Sequence, residues 1–169
     1  MEPSKGLEKN PPSEIFSTGN PACNHTGEEL FVFNNLRVLS SGQVSGELLL
    51  SSRALSFYGG VDLETGCVAE AGHPLEGKCL AGKVVVFPTG KGSTVGSYAL
   101  YRLAKTDLAP AALIMVEAEP IITTGAILGE IPCVDRFPLE SLELAITGRK
   151  NNSMTGFLEN DSLRIYPTV

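Results

Sequence analysis

Lys83-Val-Val-Val-Phe87, Pro88-Thr-Gly-Lys-Gly92 and Ser93-Thr-Val-Gly-Ser-Tyr-Ala-Leu-Tyr-Arg-Leu-Ala-Lys105 form the stretch that decides the fold. The first run is apolar and β-branched without alternation, the pattern of a strand buried on both faces. The second cannot continue that strand, because proline lacks an N–H and the glycines are conformationally loose. The third places Val95, Leu100, Leu103 and Ala104 on one helical stripe, with Ser93 as its N-cap. Asp107 to Pro110 then turns the chain into a second buried run, Ala111-Ala-Leu-Ile-Met-Val116. Strand, helix and strand make a crossover unit, which is right-handed and joins parallel strands.

Outward from this unit the patterns shorten. Upstream, residues 31–33, 36–39, 44–50 and 54–57 read as strands, punctuated by Gly42, Gly46 and Gly59-Gly60. Residues 59–82 are turn-rich around His73-Pro74. Downstream, 122–128 reads as a short helix or turn, 131–134 as a strand and 142–147 as an alternating strand. A turn cluster at 148–153 precedes a hairpin built from 156–158 and 163–166. The expected architecture is mixed α/β: a β layer from the terminal segments packed on a second β layer with its crossover helices. Residues 1–29, with Pro3, Pro11, Pro12 and Pro21, have the composition of a flexible extension, leaving 30–169 as one domain.

Composition excludes several function classes. The chain has 169 residues, 43% hydrophobic and 19% charged, enough to bury a core. A formal charge of −6 and a pI near 4.9 argue against a basic nucleic-acid surface. No apolar run reaches a membrane span, and the first 16 residues contain no apolar signal segment. Cys23, Cys67, Cys79 and Cys133 are widely spaced and form no CxxC pair. They read as buried or surface thiols of a cytoplasmic protein, and with His25 and His73 as the only histidines no metal site of its own is expected.

The loop between the buried strand and the helix is the segment suited to chemistry. A helix N-terminus presents unpaired N–H groups and partial positive charge, which bind anions or stabilise a developing oxyanion. Gly90 and Gly92 allow close backbone approach, and Lys91 adds a mobile cation. A P-loop fails because Val85 stands where its first glycine belongs, and Gly90, Gly92 and Gly96 give GxGxxxG rather than GxGxxG. On spacing alone, Ser93 either caps the helix or serves a site. His73 reads as a loop residue, and Asp62 and Glu64 as a solvated turn. Glu117 and Glu119 follow a buried strand, where open α/β sheets place ligands, or end it in a turn. No Ser-His-Asp set is arguable.

Several runs in order are similar to the aconitase X family. They are Ser56-Phe-Tyr-Gly-Gly-Val-Asp62, His73-Pro-Leu75, Gly82-Lys-Val-Val-Val-Phe-Pro88 and Gly90-Lys-Gly-Ser-Thr-Val-Gly-Ser-Tyr98. Ala109-Pro-Ala-Ala112, Glu117-Ala-Glu-Pro120, Thr124-Gly-Ala-Ile127 and Ile131-Pro132 continue them. The match is to the small subunit, a swivelling β/β/α domain resembling the fourth domain of aconitases. The resemblance implies a heterodimer with a large subunit that holds an iron–sulfur cluster, with the active site between the two chains. Family members are hydro-lyases acting on small molecules; Lys91-Gly-Ser-Thr-Val-Gly-Ser-Tyr98 is closer to the phosphomevalonate-dehydrating branch than to the cis-3-hydroxy-L-proline branch. A non-catalytic anion-binding or assembly module is the reading of another class. The family's pattern makes Ser93 the catalytic base, with Lys91, Gly92, Thr94 and Val95 contacting substrate. The C-terminal segment departs from that pattern at Leu144-Ala-Ile-Thr-Gly-Arg-Lys150, and Thr94-Val95 stands where aconitases proper place an arginine.

Overall fold

The computed structural model describes residues 28–147 and 153–168. Along these the chain forms β1 (Phe31–Phe33), β2 (Arg37–Ser40), β3 (Gln43–Leu50), β4 (Val84–Phe87), α1 (Val95–Lys105), β5 (Ala112–Met115), α2 (Pro120–Leu128), β6 (Cys133–Asp135), α3 (Leu139–Ile146), β7 (Met154–Glu159) and β8 (Ser162–Pro167). The strands lie in the order β1-β8-β7-β3-β4-β5-β6-β2. Strands β3, β4, β5 and β6 run parallel, and every other pairing is antiparallel.

The two expected β layers are joined through β3. Its first half, Gln43 to Glu47, pairs with β7, and its second half, Leu48 to Leu50, pairs with β4. The sheet must curl. Strands β1 and β2 stand at opposite ends of the order yet are linked by Asn34, Asn35 and Leu36 alone. Likewise only Ser41 and Gly42 separate β2 from β3, a link that spans at most about 11 Å. A Cβ at Gly42 would lie 2.3 Å from Pro132 Cγ, so this tight link needs glycine.

The buried runs divide by alternation. Val84, Val86, Ala112, Ile114 and Val134 point into one core, with Phe33 packed edge-on against Phe137 at 4.7 Å between ring centroids. Val85, Phe87, Leu113, Met115 and Cys133 point into the other, covered by α1, α2 and the segment after β3. The central strands are therefore apolar on both faces, as a covered parallel sheet requires.

Four local expectations change. Residues 54–57 are not a strand: β4 is already paired on both edges, so this segment makes only a single bridge, Leu55 to Gly90. Residues 142–147 lie in and just after a helix, α3. Leu139, Leu142 and Ile146 fall on its packed side by helical spacing, and Leu144, the odd member of the apparent alternation, is 78% exposed. The cap of α1 falls on Thr94, one residue later than expected, so the helix starts at Val95, and Val95 is exposed while Gly96 and Ala99 join Leu100 and Leu103 in its buried stripe. The cysteines are not all thiols, because Cys67 and Cys79 form a disulfide. The expected extension, save Glu28 and Glu29, and the turn at 148–152 lie outside the described residues.

Cys67 and Cys79 face each other in an antiparallel bridge that is extended by Val68 N–H donating to Lys78 (2.9 Å) and Leu80 N–H donating to Gly66 (2.9 Å). Closing this 12-residue separation should stabilise the fold by about 3 kcal/mol through the unfolded state. Thermal melts with and without reductant test this: the disulfide form should melt higher, and a Cys67→Ser/Cys79→Ser variant should melt alike in both. The third described cysteine, Cys133, is buried, and burial first, then the Asp135 charge, pushes its thiol up to about 12. No described helix is long and apolar enough to cross a membrane.

Candidate functional site

Strands β4 and β5 pair from Val84–Ala112 to Phe87–Met115 and so end at the same sheet edge. Both connecting loops emerge there, tied together by Val116 and Glu117 N–H groups donating to Pro88 O (3.0 and 3.1 Å). Ligands of open parallel sheets bind at this edge. The Leu55 backbone fastens the loop from the other side, donating to Thr89 O (3.2 Å) and accepting from Lys91 N–H (3.1 Å).

The two loop glycines have different reasons. Gly90 is buried against α2, where an added Cβ would come within 2.2 Å of Ile122 Cγ1. Close packing against α2 is thus a reason for glycine at this position. Gly92 is exposed and has φ +112°, a conformation that disfavours a side chain. Helices α1 and α2 also meet closely: a Cβ on Gly125 would lie 2.9 Å from Ser97 O. That crossing sets the position of the α1 N-terminus relative to the sheet edge.

Ser93 does not cap α1. The N-cap is Thr94, already in a helical conformation and without a side-chain cap bond. Ser93 instead closes a short turn before the helix: its carbonyl accepts from Gly96 N–H (2.8 Å) and its Oγ accepts from Val95 N–H at 3.4 Å. The hydroxyl is exposed and keeps its own proton free of that contact. Ser97, one turn on, donates its Oγ proton to Thr94 O (3.0 Å). Around Ser93 the surface carries Val95 (41% exposed), Tyr98 (63%) and Tyr58 (52%), large apolar groups left open to solvent.

Beside the loop lies a shallow hollow of ≈ 350 Å³ lined by Ser56, Tyr58, Gly60, Glu70, Lys91 and Gly92. Lys91 Nζ is 2.6 Å from Glu70 Oε1, and Arg53 Nη2 is 3.6 Å from the same oxygen. The Lys91 hydrogen bond is the main cause of a Glu70 carboxyl held below its usual range. A larger hollow of ≈ 460 Å³ opens nearby between Pro88, Val116 and Phe137, but its charged lining is Glu140 and Glu143, which would repel an anion. The hollow beside the loop, where Lys91 on the wall and Arg53 behind it outnumber Glu70, is thus the better anion site. Sequence reasoning missed Arg53 and Glu70: their partners lie 17 and 21 residues away along the chain, with no local spacing to reveal them.

The remaining candidates take structural places. His73 is buried; its Nδ1 accepts from Leu75 N–H (3.1 Å), and its backbone N–H donates to Glu70 O (3.2 Å), so it shapes the turn that carries Glu70. Asp62 accepts from Glu64 N–H (2.8 Å), a local turn, and Glu64 pairs with Arg102. Glu119 caps α2 by accepting from Ile121 and Ile122 N–H (3.0 and 3.2 Å). Asp135, buried at the end of β6, accepts from Arg37 Nε (2.8 Å) and Nη2 (2.5 Å) and from Ala118 N–H (2.9 Å). Among the described residues no three His, Cys, Asp or Glu side chains gather to hold a metal. With Cys67 and Cys79 bonded to each other and Cys133 buried, the described residues do not fit an iron–sulfur cluster.

A family model described as the aconitase X swivel domain matches residues 34–153. The phosphomevalonate dehydratase small subunit of Methanococcoides burtonii is 46% identical over 125 residues, covering 73% of this chain and 91% of that protein. The protein of the same name from Methanothermobacter thermautotrophicus is 55% identical over 106 residues, covering 63% and 80%. A crystal structure of Thermococcus kodakaraensis aconitase X in its holo-form superposes with a TM-score of 0.68 at 41% identity, covering 78% of this chain and 96% of that one.

Proposed function

This chain belongs to the aconitase X swivel-domain family, and from that premise we propose that it is the small subunit of a hydro-lyase that dehydrates (R)-5-phosphomevalonate to trans-anhydromevalonate 5-phosphate. Relatives identical at about half of the aligned residues bear the name phosphomevalonate dehydratase small subunit, which supports this branch over the hydroxyproline branch. The enzyme is a cytoplasmic heterodimer. Its large subunit holds the iron–sulfur cluster, and residues 30–169 form the swivel domain that closes on it.

Dehydration removes a proton from carbon and expels a hydroxide, for which a cluster bound on the partner would supply a Lewis acid; Ser93 is the base that takes the proton: a deprotonated Oγ accepts it and returns to a neutral hydroxyl. A serine hydroxyl is a poor base unless its anion is stabilised. The observation that carries the reading is the placement of Ser93 Oγ outside the first turn of α1, exposed, with Val95 N–H 3.4 Å away and directed at it. A preorganised N–H at the positive end of a helix stabilises negative charge on that oxygen. Gly92 and Thr94 offer further backbone donors to the substrate, and Lys91, on the wall of the hollow beside them, contacts its phosphate or carboxylate. The open apolar surface of Tyr58, Val95 and Tyr98 suits a partner that covers the site and excludes water.

Co-expression with a cluster-bearing large subunit, followed by anaerobic assay on both substrates, tests the reading. Turnover of phosphomevalonate by the pair and by neither chain alone is expected. Dehydration by this chain alone without iron would overturn the two-subunit reading, and turnover of cis-3-hydroxy-L-proline only would overturn the substrate.

A further inference from the structure

We propose that Glu70 is a positioning residue for Lys91, a role that rests on the reading of Lys91 as a contact for the substrate's phosphate or carboxylate. Lysine ends in a point charge on a flexible four-carbon stem, and an exposed lysine loses much of its freedom when it must hold one place. Something fixed must therefore direct it. Glu70 is such a point. Its N–H donates to Gly60 O (3.2 Å) and its carbonyl accepts from His73 N–H (3.2 Å), so its backbone is held on both sides by the turn that the buried His73 shapes. Its carboxylate meets Lys91 Nζ at 2.6 Å on the wall of the hollow that Gly92 and Ser56 also line.

Arg53 completes the arrangement. It is anchored by donating to Gly72 O (2.7 Å) and approaches the same Glu70 oxygen at 3.6 Å. Two cations share one carboxylate, so the cluster keeps a net positive charge and still attracts an anion while Lys91 is held in place. With its carboxylate engaged by Lys91 and Arg53, Glu70 acts through Lys91. Its loss should therefore weaken substrate capture and leave the chemical step alone.

A double-mutant cycle in the co-expressed two-subunit enzyme, with phosphomevalonate as substrate, tests this. Lys91→Met should raise KM by about tenfold or more, as loss of a charge-assisted contact does. Glu70→Gln, which keeps size and an acceptor oxygen but loses the charge, should raise KM by about threefold with kcat and melting temperature nearly unchanged. The double variant should match Lys91→Met alone, because Glu70 then has nothing to position. An unchanged or lower KM for Glu70→Gln overturns the proposal, as does an equal rise in the Lys91→Met background. If Lys91→Met leaves KM unchanged while Glu70→Gln raises it, the reading of Lys91 has failed and this inference with it. If Lys91→Met raises KM and Glu70→Gln does not, only the inference has failed.

Discussion

Ser93→Ala in the assembled two-subunit enzyme is expected to lower turnover by at least about 100-fold, the usual minimum for loss of a general base. The melting temperature of the same sample should fall by only about 2 °C. The two effects separate because the hydroxyl contributes little to the fold: it is exposed, does not cap α1, and accepts one long contact from Val95 N–H at 3.4 Å. A cap that bonded well would contribute about 1 kcal/mol, and Ser93 falls short of one. Ser97→Ala is the matched control. Its hydroxyl is engaged with Thr94 O, so its loss touches the helix start but not the proposed proton transfer, and most activity should remain. Near wild-type turnover by Ser93→Ala would make Ser93 only a turn residue. A large loss of stability in the same variant would make the activity loss uninterpretable as chemistry and would contradict the exposed placement of Ser93.

The crossover unit was legible because it is written in local patterns. Unbroken apolar runs at Val84–Phe87 and Ala112–Met115, with a helical stripe between them, predict two parallel strands and a helix, and the structure pairs the two strands in parallel. The hairpin of β7 and β8 was legible from two short runs, 156–158 and 163–166, though the strands extend beyond both. Where two periods compete, the local signal misleads. Leu142, Leu144 and Ile146 alternate like a strand, yet Leu139, Leu142 and Ile146 bury by helical spacing, and tertiary packing chose the latter. The helix start was misplaced because Ser93 and Thr94 are both cap residues by type, and only the turn closed by Gly96 N–H onto Ser93 O separates them. At the site, the loop itself could be read from its place between strand and helix. The Arg53–Glu70–Lys91 cluster could not, since three distant segments meet there through the fold alone. The Cys67–Cys79 bond was hidden likewise, because pairing needs the antiparallel bridge that brings the two residues opposite each other.

Asp135→Ala should destabilise the isolated chain by about 3 kcal/mol at neutral pH, enough to lower the melting temperature by roughly 10 °C. Asp135 is the one buried carboxylate among the described residues, and it joins three pieces of the sheet edge. Arg37 at the start of β2, Asp135 at the end of β6 and the Ala118 N–H before α2 meet on its two oxygens. Removing it leaves the Ala118 donor unpaired and cuts the side-chain tie from Arg37 on β2 to β6. The cost stays at the lower end for a broken buried pair because Arg37 is half exposed and regains water. The pH dependence gives an independent check. Burial pushes the Asp135 carboxyl up, but the Arg37 hydrogen bonds, the Ala118 N–H and the Arg37 and Arg136 charges outweigh it, and the net shift is downward. The folded state then binds this proton less readily than the unfolded chain. The stabilisation is complete above the unfolded carboxylate range, near pH 4, and is lost as pH falls through the lowered folded value. Denaturant melts of wild type and Asp135→Ala should therefore differ most at pH 7 and converge below about pH 4. A gap that stays constant down to pH 3 would mean that the variant loses packing alone and that the charge of Asp135 contributes nothing to holding the sheet edge together.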